Sequence, residues 1–341
     1  MSDRAPLVSV VTPVYQGMPY LDECIRSVQG QTLEDWEHVL LDNASTDGSW
    51  ERIGEATSDD PRVRAHRNER TVPFVENWNR VLDFVSPDSR FIKVVHADDW
   101  IRPECLEAMV GVAERHPDVT LVGARVSRGD EVVCRWEDAP GEAVDGHLVA
   151  RLSLLGEIPY LFGSPTSVLM RADAVRSQGK LYEEEHTEIL GQVVDQDACY
   201  RLLREGDFGY VQRVLTATRE HEDSITAANE RLTRWYAGKI ALHLRHGREF
   251  LDEDEYRRTL EEWLERYYGF LGKEAWRGRG REFWSYHRRA LDRLGFGLRP
   301  GRLARAAAGR LAERARRGVA RRTERLRRAL GGERDAAGEG S

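Results

Sequence analysis

The 341-residue chain has no run approaching the roughly 18 consecutive apolar residues needed to cross a bilayer. Only Arg4 stands before the first apolar stretch, and a Pro-Tyr-Gln-Gly turn follows it, so the pattern of a secretory signal is missing. A cytoplasmic location is the expectation. Cysteine is sparse: Cys24, Cys105, Cys134 and Cys199 are scattered, no pair has metal-site spacing, and reduced core thiols are expected rather than disulfides. Two glycine signatures are also lacking. No dinucleotide fingerprint follows the first strand-like segment, and no Gly-Lys-Ser/Thr closes a glycine-rich turn, which disfavours a Rossmann dehydrogenase and a P-loop ATPase.

Net positive charge is absent from most of the chain. Residues 299–335 hold 13 arginines against four acids, so an overall charge of -7 leaves residues 1–298 near -15. An acidic body argues against nucleic acid as a partner, and the basic tail is a separate module.

What is present in the first third is an alternation of strand-like and helix-like segments. LVSVVTPVY (7–15) is β-rich, and YLDECIRSVQ (20–29) places Leu21, Cys24, Ile25 and Val28 on one helical face. WEHVLLDNAS breaks into a polar turn at Asp42, Asp47-Gly48-Ser49 leads into a short helix, and RVRAHR suits a third strand. FVENWNRVLDFV sets Phe74, Trp78, Val81, Leu82 and Val85 at helical spacing, FIKVV is a fourth strand, and Pro103 opens another helix. Repeating βα units predict a mostly parallel sheet covered by helices. Farther on, LVGARVSR and EVVCRW suit an antiparallel pair, YLFGSPTSVLMR a loop entering a strand, and DQDACYRLLREG a helix start. Residues 225–295 are helical and aromatic, fit either to cover one side of the sheet or to join two copies of the chain.

Ligands of such sheets bind beyond the carboxyl ends of the strands. The loops TPVYQG, DNASTDG and HADDW all fall there. Adjacent carboxylates at a strand end suit a divalent cation with a preference for hard oxygen ligands, Mn²⁺ or Mg²⁺. Spacing alone leaves an equal alternative, in which Asp98 and Asp99 cap the next helix and Trp100 anchors the core.

Taken in order, VSVVTPVYQGMPYLDECIRSVQGQTLEDWEHVLLDNASTDGS, NWN, HADDWIRP, GSPTSVLMR, DQDACYRLL and TREHEDSIT resemble a bacterial family 2 glycosyltransferase over residues 6–228. The resemblance implies an α/β fold of the GT-A nucleotide-diphospho-sugar transferase type with a C-terminal helical extension. Residues 1–228 would be catalytic, with a nucleotide-binding half to about 120 and an acceptor-binding half from 121. Residues 229–298 would be the extension and 299–341 the tail. It implies that Thr12, Pro13, Tyr15 and Asp42 hold the nucleobase, Tyr15 by stacking, with Arg67 near the nucleotide. Asp98 would be the metal ligand for Mn²⁺ or Mg²⁺, with Asp99 beside it. His96 stands where the family has an acid on the ribose. Asp197 would be the general base with Asp195 as the second choice, Gln196 replacing the family's Glu, and His221 would approach the metal or diphosphate. Gly163–Thr166 would lie near the acceptor.

The implied reaction is inverting transfer from a nucleotide sugar, UDP favoured over dTDP or GDP, to a glycan or lipid-linked acceptor. Each residue has a plainer reading: Tyr15 a buried aromatic, Asp42 an Asx-turn, Asp197 a helix cap, His221 a structural histidine. A sugar nucleotidyltransferase would want a basic loop after the first strand, and TPVYQGMPY has none. A binding protein without turnover is the remaining class, supported by Gln196 and His96. The tail, rich in Ala, Leu and Arg, suits either a basic amphipathic helix on an anionic membrane or a solvated extension. The first would put the enzyme at the inner face of the cell membrane.

Overall fold

The computed structural model describes residues 5–158, 160–183, 189, 193–221 and 232–308. The chain divides into two compact units, 1–259 and 260–341. The first begins with β1 (Val8–Val14), α1 (Leu21–Gln29), β2 (Trp36–Asp42), α2 (Ser49–Asp59), β3 (Val63–Arg67), α3 (Phe74–Leu82), β4 (Phe91–Val94), β5 (Trp100–Ile101) and α4 (Cys105–Arg115). It continues with β6 (Val119–Arg128), β7 (Glu131–Val133), β8 (Ala143–Val144), α5 (Gly146–Leu155), a 3₁₀ turn (Pro165–Ser167), β9 (Val168–Arg171) and α6 (Ala172–Ser177). It then has α7 (Val194–Glu205), β10 (Asp207–Thr218) and α8 (Trp235–Phe250), and α9 (Glu253–Ala275) begins in it.

The strands form one sheet in the order β3-β2-β1-β4-β9-β6-β10-β5, with β7 on β6 and β8 on β10. β1 to β4 are parallel, as the βα repeats predict. The whole sheet is mixed: parallel pairing continues between β6 and β10, with antiparallel strands set among the parallel ones. β9, reached through α5 and the 3₁₀ turn, enters between β4 and β6 and runs antiparallel to both. β5 and β8 are likewise antiparallel to β10, and the predicted β6–β7 hairpin forms through Val126 opposite Val133.

Burial explains the central strands. All seven residues of β1 and of β2 are buried, polar Ser9, Thr12, Glu37, His38 and Asp42 included, as in strands covered on both faces. Pro13 is tolerated in β1 because the β1–β4 ladder ends at Val11 opposite Val94; the position that lacks an N–H lies two residues past the last pair. α1 buries Leu21, Cys24, Ile25 and Val28, the face read from the sequence. α3 departs from its expected face. It buries Val75, Asn77, Asn79 and Val81, because Asn79 exchanges two hydrogen bonds with the Tyr182 backbone (2.8 and 2.9 Å) and Asn77 accepts one from Asn68 (2.8 Å). Phe74 and Trp78 are left half-buried. All four cysteines are buried and free.

In the second unit α10 (Arg281–Arg293) buries Phe283, Tyr286, His287, Ala290 and Leu291, and His287 Nδ1 meets the Tyr267 hydroxyl at 2.6 Å. The tail expectation falls chiefly on residues 309–341, outside the described residues. No described helix is long and apolar enough to cross a membrane.

Candidate active site at the carboxyl edge of the sheet

The loops after β1 and β2 are stitched together by side chains reaching backbone N–H groups. Gln16, left-handed at φ 50°, donates its N–H to Ser45 Oγ (3.0 Å), Gly17 to Ser49 Oγ (2.9 Å) and Met18 to Asp47 Oδ2 (2.9 Å). Thr46 donates its N–H to Gln16 Oε1 (2.7 Å). Beside this seam Tyr15 is 57% exposed, not buried. Asp42 is wholly buried; it accepts from the Ser45 N–H and pairs with Arg67 Nε at 2.9 Å. Arg67 also donates to the Ser45 carbonyl (2.9 Å). The Thr12 hydroxyl is committed to His38 Nε2 at 2.8 Å inside the domain.

β4 ends in the HADD loop. Among the described residues, His96, Asp98 and Asp99 can each offer one ligand atom, all within 4.8 Å of one another. His96 Nε2 is buried without a hydrogen-bond partner, while its ring lies 4.7 Å from that of Trp78. Burial lowers the imidazole pKa, so it sits there as a neutral nitrogen donor. An orphaned nitrogen beside two carboxylate oxygens is a donor set that fits Mn²⁺ or Mg²⁺. Asp99 accepts from the Thr166 hydroxyl (2.6 Å) and the Arg219 N–H (3.1 Å); burial and the Asp98 charge push its pKa up.

From the end of β10, His221 Nε2 approaches Asp98 Oδ2 at 3.0 Å. Arg219 Nε donates to the Asp98 carbonyl (3.2 Å), and its guanidinium lies 4.5 Å over Tyr20. The sequence reading did not single out Arg219. Its proximity to His221 in the same short segment was the available signal. Residues 222–226 of the TREHEDSIT stretch lie outside the described residues.

The two acids at the start of α7 part company. Asp195, Ala198, Cys199 and Leu202, at helical spacing, line a cavity with Phe162, Gly163, Ser164 and Pro165. Burial raises the Asp195 carboxyl to about 6, although the Gln196 N–H donates to it (2.8 Å) and Lys239 lies near. Asp197 is turned to the other side, wholly buried, and meets Arg245 Nε and His246 Nε2 of α8 at 2.9 Å each. Burial alone would raise its pKa. The His246 hydrogen bond and the charges of His246, Arg245 and Arg201 outweigh that and hold it low. Gln196 accepts from Lys239 Nζ (2.6 Å).

The carboxyl edge of a mixed α/β sheet, where ligands of such folds bind, thus gathers a His-Asp-Asp cluster and a half-buried acid with a raised pKa. Residues 9–176 match the profile of Glycosyl transferase family 2. The chain belongs to that family and is a glycosyltransferase of bacterial type. EpsE of Bacillus subtilis (strain 168) is 28% identical over 65% of this chain and 76% of its own length. The fold is similar to that of S. aureus TarS 1-349, with a TM-score of 0.61 at 17% identity over 89% of this chain and 81% of that one. It is also similar to the mannosyltransferase PcManGT from Pyrobaculum calidifontis, with a TM-score of 0.54 at 14% identity, covering 91% and 81%. At these identities the structural likeness is one of fold.

Proposed function

We propose that this chain is a metal-dependent, inverting transferase of the GT-A type. It would move a sugar from a nucleoside diphosphate, UDP favoured, to a hydroxyl of a glycan or lipid-linked acceptor. The observation that carries this reading is the cluster of His96, Asp98 and Asp99 at the sheet edge with the partnerless His96 Nε2. TarS 1-349 has crystal structures with UDP and with UDP-GlcNAc, and PcManGT has a structure in complex with GDP-Man and Mn²⁺, which supports a nucleotide-sugar donor.

In this reading exposed Tyr15 stacks on the nucleobase, and buried Asp42, oriented by Arg67, accepts from the base edge. Thr12 and Pro13 shape the strand end beneath it. Asp98 is the principal metal ligand, with His96 and His221 beside it and Asp99 held behind. A bound Mn²⁺ or Mg²⁺ would offset charge on the departing diphosphate. The base role passes from Asp197 to Asp195. Asp197 is tied up by an arginine and a histidine, whereas Asp195 faces a cavity, and a base works best with a pKa near the working pH. Asp195 takes the acceptor proton as that oxygen attacks the anomeric carbon, and the nucleoside diphosphate leaves with the bonding electrons. Tyr182 and Trp78, whose rings are 5.3 Å apart, link the metal loop to the Asp195 cavity.

UDP release from a panel of UDP-sugars, with Mn²⁺ or with EDTA, tests the reading. Turnover that needs the metal and disappears in Asp98→Ala supports it. Turnover indifferent to EDTA and to Asp98→Ala contradicts it.

A further inference from the structure

Two features of the site remain without a part in the reaction. Lys93 is wholly buried in β4, between apolar Ile92 and Val94, and its ammonium donates to the carbonyls of Thr166 and of Val168 (3.1 Å). A lysine stem in that position is costly unless the charge is fully partnered. Thr166, also wholly buried, uses both capacities of its hydroxyl: it donates to Asp99 Oδ2 (2.6 Å) and accepts from the His96 N–H (3.1 Å). The turn that carries Thr166 also supplies Gly163, Ser164 and Pro165 to the Asp195 cavity. One hydroxyl thus ties the metal loop to the turn that faces the proposed base.

We propose that Thr166 is a positioning residue: it fixes the Asp99 carboxylate and the His96 backbone against the Gly163–Ser167 turn, with Lys93 holding that turn from within the sheet. Packing alone would need only a β-branched side chain there. The geometry uses the oxygen instead, so loss of that atom should loosen metal binding with little change in packing. The inference rests on the reading of His96-Asp98-Asp99 as a metal site.

The test uses the full chain and titrates Mn²⁺ alone, then Mn²⁺ with UDP, into wild type, Thr166→Val and Thr166→Ser, with the melting temperature of each recorded. Partners that orient metal ligands are worth about 10- to 100-fold in affinity, so Thr166→Val should weaken Mn²⁺ binding by about tenfold or more, and Thr166→Ser should restore most of it. At subsaturating Mn²⁺ the same loss should appear as a raised KM for the UDP-sugar, and excess Mn²⁺ should recover most of it. Lys93→Met endangers the sheet itself, so the valine and serine pair decides. A lowered melting temperature with wild-type Mn²⁺ affinity in Thr166→Val would overturn the inference alone. A wild-type chain that binds neither Mn²⁺ nor UDP with Mn²⁺ would overturn the metal reading and this inference together.

Discussion

Asp195 and Asp197 stand two residues apart on one helix and so point to nearly opposite sides. That separates their predicted phenotypes. Asp195→Asn should cut sugar transfer by roughly 10²- to 10⁴-fold, the usual worth of a general base, while nucleotide affinity holds. Because the wild-type carboxyl is raised to about 6, kcat/KM should fall as pH drops through that value. The stability effect has the opposite sign to the catalytic one. A folded pKa above the ordinary carboxyl value means that the fold prefers the protonated acid, so stability declines as pH rises from about 4 to 6. Asp195→Asn should therefore melt higher than wild type at pH 8, and the gap should close at pH 4, which thermal melts at both values will show. Asp197 is the reverse case. Its lowered pKa gives stability that is present above the unfolded value and lost as pH falls through the folded one. Asp197→Asn leaves Arg245 and His246 without their carboxylate. The cost should be roughly 2–3 kcal/mol, below the ~3–5 of a fully buried pair because the Arg245 side chain is one-third exposed. Denaturant unfolding measures it.

At the scale of elements, the legible half of the fold is the part whose contacts are local. β1 to β4 and their helices announce themselves through strand-like segments alternating with helical spacing, and α1 buries the four residues its spacing selects. β9 was legible as a strand, but its place between β4 and β6 was not, since no local pattern states which long-range edge an antiparallel strand will fill. β5 is two residues long and carries no periodicity to read. α3 misled because its buried positions include two asparagines, which count as polar until their partners at Tyr182 and Asn68 are known. The same blindness applied to the acids of α7: the motif placed both at a helix start, and only the packing of α8 shows that Asp197 meets Arg245 and His246. The lysine in FIKVV reads as one residue of a strand, and its partners, the Thr166 and Val168 carbonyls, are set by a turn more than 70 residues away. Close packing also sets a prediction here. A Cβ at Gly146, the first residue of α5, would lie 2.0 Å from the Gly206 carbonyl oxygen and 2.6 Å from that of Leu203. Both obstacles are backbone, so Gly146→Ala should destabilise by about 1–3 kcal/mol or more, read from the shift in the denaturation midpoint.

For the whole molecule, the proposed function requires that three loops, which leave β1, β2 and β4, together make one metal-dependent nucleotide site. Loop residues far apart in sequence are brought to one edge by the parallel half of the sheet, and the seam between Gln16 and Ser45 holds the first two as a unit. The most direct measurement is calorimetric titration of the chain with UDP, GDP and dTDP, each with Mn²⁺ and with EDTA, repeated on Asp98→Ala. The account predicts that UDP binds with Mn²⁺, weakens by at least about tenfold in EDTA, and weakens equally in Asp98→Ala whether or not metal is present. Binding of no nucleotide under any condition, or UDP binding that neither EDTA nor Asp98→Ala alters, would contradict it.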